Sequence, residues 1–261
     1  MSKTLGVIPA RMASSRFPAK PLKNILGIPM LAHCYERALI SESCDHLVIA
    51  TPDNEIMNWA LKYKIPALLT SNQHERATER AAEVLTILES QGDSFDYVLL
   101  LQGDEPQINP IDIQRLNNAF ENFHADVVNL IFPIGNTDMS DPNVVKAIVS
   151  LSNEIKFFTR THAPYQSQKG IRQLGMIGFT SDALKAYINL EMTNLEIVSE
   201  VCSILDKRPE DVIKFVKDRP GHDFRYSVSN KKLVNLGFDK FTDFNKALER
   251  TIKHYTQGTA K

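Results

Sequence analysis

Several things are scarce in this chain of 261 residues, and each scarcity narrows what it can be. Three cysteines, Cys34, Cys44 and Cys202, lie far apart and are odd in number. That excludes a disulfide scaffold and a thiolate zinc site, and predicts reduced thiols in a cytoplasmic protein. Net charge is nearly absent: 30 basic against 31 acidic residues leave −1, so no global field exists to hold nucleic acid or an anionic membrane surface. No run of about eighteen apolar residues occurs, and the apolar stretch at residues 5–10 stops at Arg11. Neither a membrane span nor a secretory leader is expected. The glycine-rich dinucleotide fingerprint, internal repeats and low-complexity tracts are missing too, which leaves a globular protein whose anion sites are local.

What is present is alternation. Short apolar runs at residues 5–9, 47–51, 67–70, 97–101 and 127–132 read as strands. Between them, residues 30–39, 55–63, 77–88 and 111–120 repeat apolar side chains three and four apart, as helices do. This pattern predicts an α/β fold with a mostly parallel sheet and helices on both faces, occupying residues 1–132. From residue 133 to 190 the texture shifts to loops and shorter strands, at 144–149, 156–159 and 176–179. A third part, 191–261, holds a helical pattern at 195–205, a strand at 213–216 and a closing helix with Phe244, Ala247, Leu248, Ile252 and Tyr255 on one face.

Two segments carry chemistry. The first leaves the opening strand as Pro9-Ala-Arg11-Met-Ala-Ser14-Ser-Arg16-Phe-Pro18-Ala-Lys20-Pro21. Three cations and no acid stand there, and the prolines restrict the loop and so reduce the entropy lost when it closes on a ligand. Arginine offers forked donors to phosphate oxygens and lysine a compact charge. The second is Gln102-Gly103-Asp104-Glu105-Pro106, directly after an apolar strand. Carboxyl ends of strands are where open α/β sheets bind ligands, and a carboxylate there suits Mg²⁺ held against a triphosphate.

Together these segments resemble the cytidylyltransferases that activate 3-deoxy-manno-octulosonate (Kdo). Further matches are Gly27-x-Pro29-Met30, Thr78-Glu79-Arg80 after His74, Asp141-Pro-Asn143-x-Val145-Lys146, Phe158-x-Arg160 with Pro164, and Leu174-Gly175-x-x-Gly178. The resemblance implies that Arg11, Ser14, Arg16 and Lys20 meet the phosphates of CTP, that Thr78, Arg80 and Gln102 lie by the nucleotide, and that Asp104 binds Mg²⁺. It also implies that Arg160 faces the carboxylate of the sugar acid, with Gln173 at the sugar where the family carries histidine. A homodimer is usual in that family. Arg76-Ala77 stands where the family has Ser-Gly, so base preference and the choice of ulosonic acid are open.

The family's second metal aspartate, in a Val-Asp-Thr-Pro-Glu-Asp segment, has no counterpart. Residues 191–198, 218–226 and 236–255 resemble instead the tail of dTDP-glucose 4,6-dehydratases. Asp223, after Pro220-Gly221, is then the candidate second ligand, with Asp239 in reserve. A transferase for Kdo, one for another ulosonic acid, and a nucleotide-sugar binding protein without catalysis all fit this reading.

Overall fold

The computed structural model describes residues 2–13, 17–161, 170–188, 199, 201–208, 246 and 248–250. The chain divides into two compact units, residues 1–188 and 189–261.

The first unit starts with β1 (Thr4–Pro9), followed after the basic loop by a hairpin of β2 (Asn24–Ile25) and β3 (Ile28–Pro29). Then come α1 (Met30–Ile40), β4 (His46–Thr51), α2 (Asn54–Lys62), β5 (Ala67–Leu69), α3 (Ala77–Ser90), β6 (Tyr97–Leu100) and α4 (Pro110–Phe123). The remainder is β7 (Val127–Ile134), the short α5 (Asn136–Ser140), β8 (Lys146–Val149), β9 (Ile155–Thr159), β10 (Gly170–Thr180) and α6 (Ser181–Ile188).

Among the described residues one sheet of eight strands runs β5-β4-β1-β6-β10-β8-β9, with β7 also on β10. The strands β5, β4, β1 and β6 pair in parallel, and along the chain β1, β4, β5 and β6 are joined in turn by helical crossovers. All pairings of β10, and that of β8 with β9, are antiparallel. The expected α/β sheet is therefore mixed, with its amino-terminal half wholly parallel.

Alternation along each strand divides the core into two layers, since successive side chains leave opposite faces. Ile8, Leu47, Ile49, Leu99 and Leu101 pack with Leu31 and Tyr35 of α1, Ile56 of α2, and Ile113, Leu116 and Phe120 of α4. Leu5, Val7, Val48, Ala50, Val98 and Leu100 pack on the other face with Ala81, Val84, Leu85 and Leu88 of α3 and Leu184 of α6. Helix starts are chemically marked where packing alone would leave them ambiguous. Asn109 accepts the backbone N–H of Ile111 at 3.1 Å, Pro110 supplies the first helical φ, and His124 at φ 46° ends α4.

The expected strand at 176–179 extends to the whole of β10, because its first half pairs with β7 although it lacks a clean apolar run. Helix α6 follows Thr180 without a break. In the second unit, residues 201–204 are helical with Cys202 buried, and 246 and 248–250 are helical. The strand expected at 213–216, the loop at 218–223 and Asp239 lie outside the described residues. Among the described residues no helix is long and apolar enough to cross a membrane.

Leu85 is fully buried in the middle of α3. Leu85→Ala should lower stability by about 2–5 kcal/mol, the usual range for a core leucine truncation, read as a shift in the urea midpoint at unchanged slope.

Candidate active site

The site is built where the parallel strands end. The chain leaving β1 is held on both sides: Ala10 donates to the Ala50 carbonyl at 2.9 Å, and the Met12 N–H donates to Asp53 Oδ2 at 2.7 Å. The basic loop closes its own neck through the Ala19 N–H on the Met12 carbonyl at 3.2 Å. A short turn of 3-10 helix, Lys20–Leu22, then begins with Pro21 buried beneath it. From that turn Lys20 Nζ reaches Asp104 Oδ2 at 2.9 Å, across 84 residues of sequence. The basic loop and the acidic turn are thus one site. Both side chains keep substantial exposure, 35% and 56%, so the pair is open to ligand. Ser14 and Arg16 lie outside the described residues.

The turn after β6 fits only because Gly103 has no side chain. A Cβ there would stand 2.5 Å from the Pro9 carbonyl oxygen, which is backbone and has nowhere to move. On its other side the turn meets a break in the register of β10 between Gln173 and Ile177. Strand β7 lines one edge of β10 throughout, so β6, paired at 177–180, and β8, paired at Arg172, share the opposite edge. The Gln102–Pro106 turn occupies the gap between them. Gly175 makes the room: a Cβ there would lie 2.6 Å from Gln102 Cγ and 2.8 Å from Glu105 Oε1. Burial pushes the Glu105 carboxyl above the ordinary range, the neighbouring Asp104 charge adds to this, and Arg172 and the Gly175 N–H oppose it. Beneath the turn, burial drives the Cys34 thiol up to about 12, so this thiol stays protonated and unreactive.

The start of α3 forms a third wall. Glu79 accepts the Glu75 and Arg76 N–H groups at 3.1 and 3.2 Å, and Glu83 accepts from the Ser71 N–H at 2.8 Å and bonds His74 Nε2 at 2.6 Å. These bonds fix the loop between β5 and α3. Arg80 is 4% exposed, bonds the Thr70 hydroxyl, and donates to the Ser71 carbonyl at 3.1 Å. Burial lowers its pKa, and Arg11 lowers it further while Glu83, Asp53 and Glu79 oppose. Arg11 and Arg80 therefore share one field at the mouth of the parallel half, with Thr78 half-buried in the first turn of α3. Arg76 donates from Nη1 to the Tyr187 hydroxyl at 2.9 Å, which engages the departing guanidinium with α6.

The antiparallel half supplies the remaining residues. Arg160, just past β9, is exposed and donates from Nη1 to the Pro142 and Asn143 carbonyls, both at 3.2 Å. Gln173 donates to Asn129 Oδ1 at 2.7 Å and lines a cavity of about 740 Å³ bordered also by Glu105, Arg172, Met176, His33 and Arg37. Two contributors went unassigned in the sequence. Asp53 carried the same signal as Asp104, a carboxylate just past an apolar strand. Lys146 stood inside a matched motif, with a charge in a strand otherwise reading Ala-Ile-Val.

Among the described residues no group of three metal-binding side chains is assembled. A single exposed carboxylate is nevertheless the kind of donor Mg²⁺ uses, since this ion keeps several waters and takes further oxygens from substrate phosphates. Asp104 fits that description. Asp223, the second ligand expected from the tail, falls outside the described residues.

Known proteins are similar to this chain over most of its length. The cytidylyltransferase family pattern matches residues 5–233. The 3-deoxy-manno-octulosonate cytidylyltransferase of Escherichia coli is 34% identical, over 73% of this chain and 77% of that protein. The mitochondrial protein of the same name from Arabidopsis thaliana is 35% identical over 75% of this chain and 69% of its own. The one from Parabacteroides distasonis is 27% identical over 95% of this chain and 98% of its own. A solved structure of CMP:2-keto-3-deoxy-manno-octonic acid synthetase complexed with CTP superposes with a TM-score of 0.68 at 31% identity, covering 78% of this chain and 84% of that one. The family match enters the segment compared above with dehydratase tails, and that likeness gains no support.

Gly103→Ala should destabilise the fold by about 1–3 kcal/mol, the ordinary cost of overpacking, and by more than Gly175→Ala, whose neighbours are side chains able to swing aside; thermal unfolding of the two variants compares them. Glu105 predicts a pH effect. Its native carboxyl binds a proton more tightly than the unfolded chain does, so it subtracts stability as pH rises from the ordinary carboxylate range through its raised native value. In Glu105→Gln that loss disappears, and the melting temperature of the variant relative to the parent should climb with pH across this window.

Proposed function

The chain belongs to the cytidylyltransferase family, and we propose that it forms CMP-Kdo from CTP and 3-deoxy-manno-octulosonate, releasing pyrophosphate. The observation that carries this reading is the 2.9 Å contact of Lys20 with Asp104, which closes the basic loop over the acidic turn at the ends of β1 and β6. It is supported by the names of the relatives and by the CTP complex of the similar structure.

In this reading the parallel half receives CTP. Arg11, Lys20, Ser14 and Arg16 take the phosphates, and Thr78, Arg80 and Gln102 lie by the nucleotide. The antiparallel half receives the sugar acid, its carboxylate at Arg160 and its hydroxyls toward Gln173 and the cavity beside Glu105. The anomeric oxygen attacks the α-phosphorus, a new P–O bond forms, the bond to pyrophosphate breaks, and the hydroxyl proton leaves to solvent. Positioning and charge neutralisation supply the catalysis, so no covalent enzyme intermediate is involved. Mg²⁺ bound with the triphosphate would be held by Asp104, with Asp223 as second ligand, and would neutralise phosphate charge. Lys20, paired with Asp104, then has the triphosphate as its alternative partner.

The same reading includes a homodimer in the cytoplasm. Exposed apolar side chains in the antiparallel half, Phe132, Leu151, Phe157 and Phe158, support association with a second copy. A transferase for another ulosonic acid is the competing reading, favoured by Gln173 in place of the family histidine. A panel of sugar acids separates the two by kcat/KM.

Incubation with CTP, Kdo and Mg²⁺ should release pyrophosphate, and chelation should abolish the release until Mg²⁺ is restored. Asp104→Asn should lower kcat at least 100-fold while the circular dichroism spectrum and melting temperature stay near the parent values, because the residue is exposed. Unchanged turnover in that variant would remove Asp104 from the site.

A further inference from the structure

Among the described residues Lys146 is the largest side chain with no exposed surface. It opens β8, opposite Thr159 of β9 on one side and Arg172 of β10 on the other. Its ammonium makes no ion pair among those described. It donates instead to two main-chain carbonyls, that of Asp141 at 2.6 Å and that of Arg160 at 3.0 Å. Burying an ammonium costs several kcal/mol, and an apolar side chain of similar volume commonly serves folding as well or better. A role in folding alone therefore does not account for a lysine here.

What the lysine accomplishes is a latch between two loops. The turn at 141–143 is internally stiff: Asp141 Oδ1 accepts from the Asn143 N–H at 2.8 Å and from Asn143 Nδ2 at 3.0 Å, and the Val144 N–H donates to the Asp141 carbonyl at 3.2 Å. Arg160 grips that turn by its guanidinium, through the Pro142 and Asn143 carbonyls. Lys146 grips the same turn and the Arg160 main chain at once. The guanidinium is thereby held at both its root and its head, leaving its remaining donors directed by the turn rather than by solvent.

We infer that Lys146 is a positioning residue for sugar-acid recognition: it locks the Arg160 backbone onto the 141–143 turn and so sets where the Arg160 guanidinium meets the substrate carboxylate. This rests on the reading that Arg160 contacts the sugar acid. Lys146 itself touches neither substrate. The two halves of the site then differ in what holds their arginines, a hydroxyl and a carbonyl for Arg80 and a buried ammonium for Arg160.

The test separates KM for the sugar acid from KM for CTP, each measured with the other substrate saturating. Arg160→Ala should raise KM for Kdo at least 10-fold with KM for CTP within about two-fold of the parent. Lys146→Met should show the same split, and the double variant should be no worse than Arg160→Ala alone, because the latch has nothing left to position. Lys146→Gln, which keeps an NH₂ donor group without the charge, should recover part of the loss. Asp141→Ala removes the Oδ1 bonds that stiffen the turn and leaves in place the main-chain carbonyl that takes the ammonium, and should produce a smaller rise in KM for Kdo only, which keeps the question decidable where Lys146 variants fail to fold. If Arg160→Ala raises KM for Kdo while Lys146→Met and Asp141→Ala do not, or if their effects add to that of Arg160→Ala, the latch is overturned. An Arg160→Ala variant with an unmoved KM for Kdo instead removes the reading of Arg160 on which the latch depends.

Discussion

The site depends on one close approach, the Gly103 backbone lying against the Pro9 carbonyl oxygen. Strands β1 and β6 are parallel neighbours, so their carboxyl ends emerge side by side, but ordinary side chains would splay the two exits apart. Removing one Cβ lets the turn after β6 fold back over the end of β1. Only then does the loop leaving β1 return to deliver Lys20 within 2.9 Å of Asp104. Gly175 plays the matching part across the turn, where it lets β10 come close to Gln102 and Glu105. Between these two glycines the acidic turn is clamped by backbone geometry, and its one exposed carboxylate needs no stabilising partner beneath it.

Charge in this protein is local, as the near-zero total requires. Among the described residues the two buried cations are held by uncharged oxygen, Arg80 by the Thr70 hydroxyl and the Ser71 carbonyl, and Lys146 by two carbonyls. Carbonyl oxygens satisfy the donors without cancelling the charge. Carboxylates in contact would have cancelled it, and a neutralised pair attracts an anionic substrate weakly. The exposed Lys20 is held differently. Lys20 is paired with a carboxylate at a surface where such a pair contributes roughly 0–1 kcal/mol, so it exchanges readily for a phosphate.

Much of the architecture was legible because burial on both faces of a parallel sheet writes itself as apolar runs of strand length. The runs at 5–9, 47–51 and 97–101 became β1, β4 and β6 with little change, and the stripe at 77–88 became α3. The antiparallel half was less legible. The first half of β10 carries Arg172 and Gln173 into the site, so its alternation is interrupted where it serves the ligand, and α6 follows without a turn residue to announce it. For the site, type and spacing pointed to Arg11, Lys20 and Asp104, because cations crowded into one loop without acids repel one another until an anion joins them, and a carboxylate just past an apolar strand stands where open sheets bind ligands. Asp53 was passed over although it has the same placement, since its partner is a backbone N–H that no side-chain pattern encodes. Lys146 was invisible for a similar reason: both of its acceptors are carbonyls, and only the fold brings residues 141 and 160 together.

In the proposed reaction the mixed sheet divides the labour. A parallel half gathers loops at one edge, because every strand ends there and every helix starts there, and this suits a ligand with many charges to be met from several directions. An antiparallel half offers alternating loop ends and a continuous edge, which suits the reading of a smaller, more shaped ligand by individual side chains. The junction must serve both, and β10 meets that need by pairing with β6 along its second half and with β8 along its first, on the same edge. The register break between Gln173 and Ile177 is the seam between these pairings, and the Gln102–Pro106 turn is seated in it. An aspartate at this seam is within reach of ligands bound on either side, which no position inside either half would allow. In the proposed reaction, that is a physical reason for the transfer chemistry to centre on Asp104 rather than on the more buried Glu105 beside it.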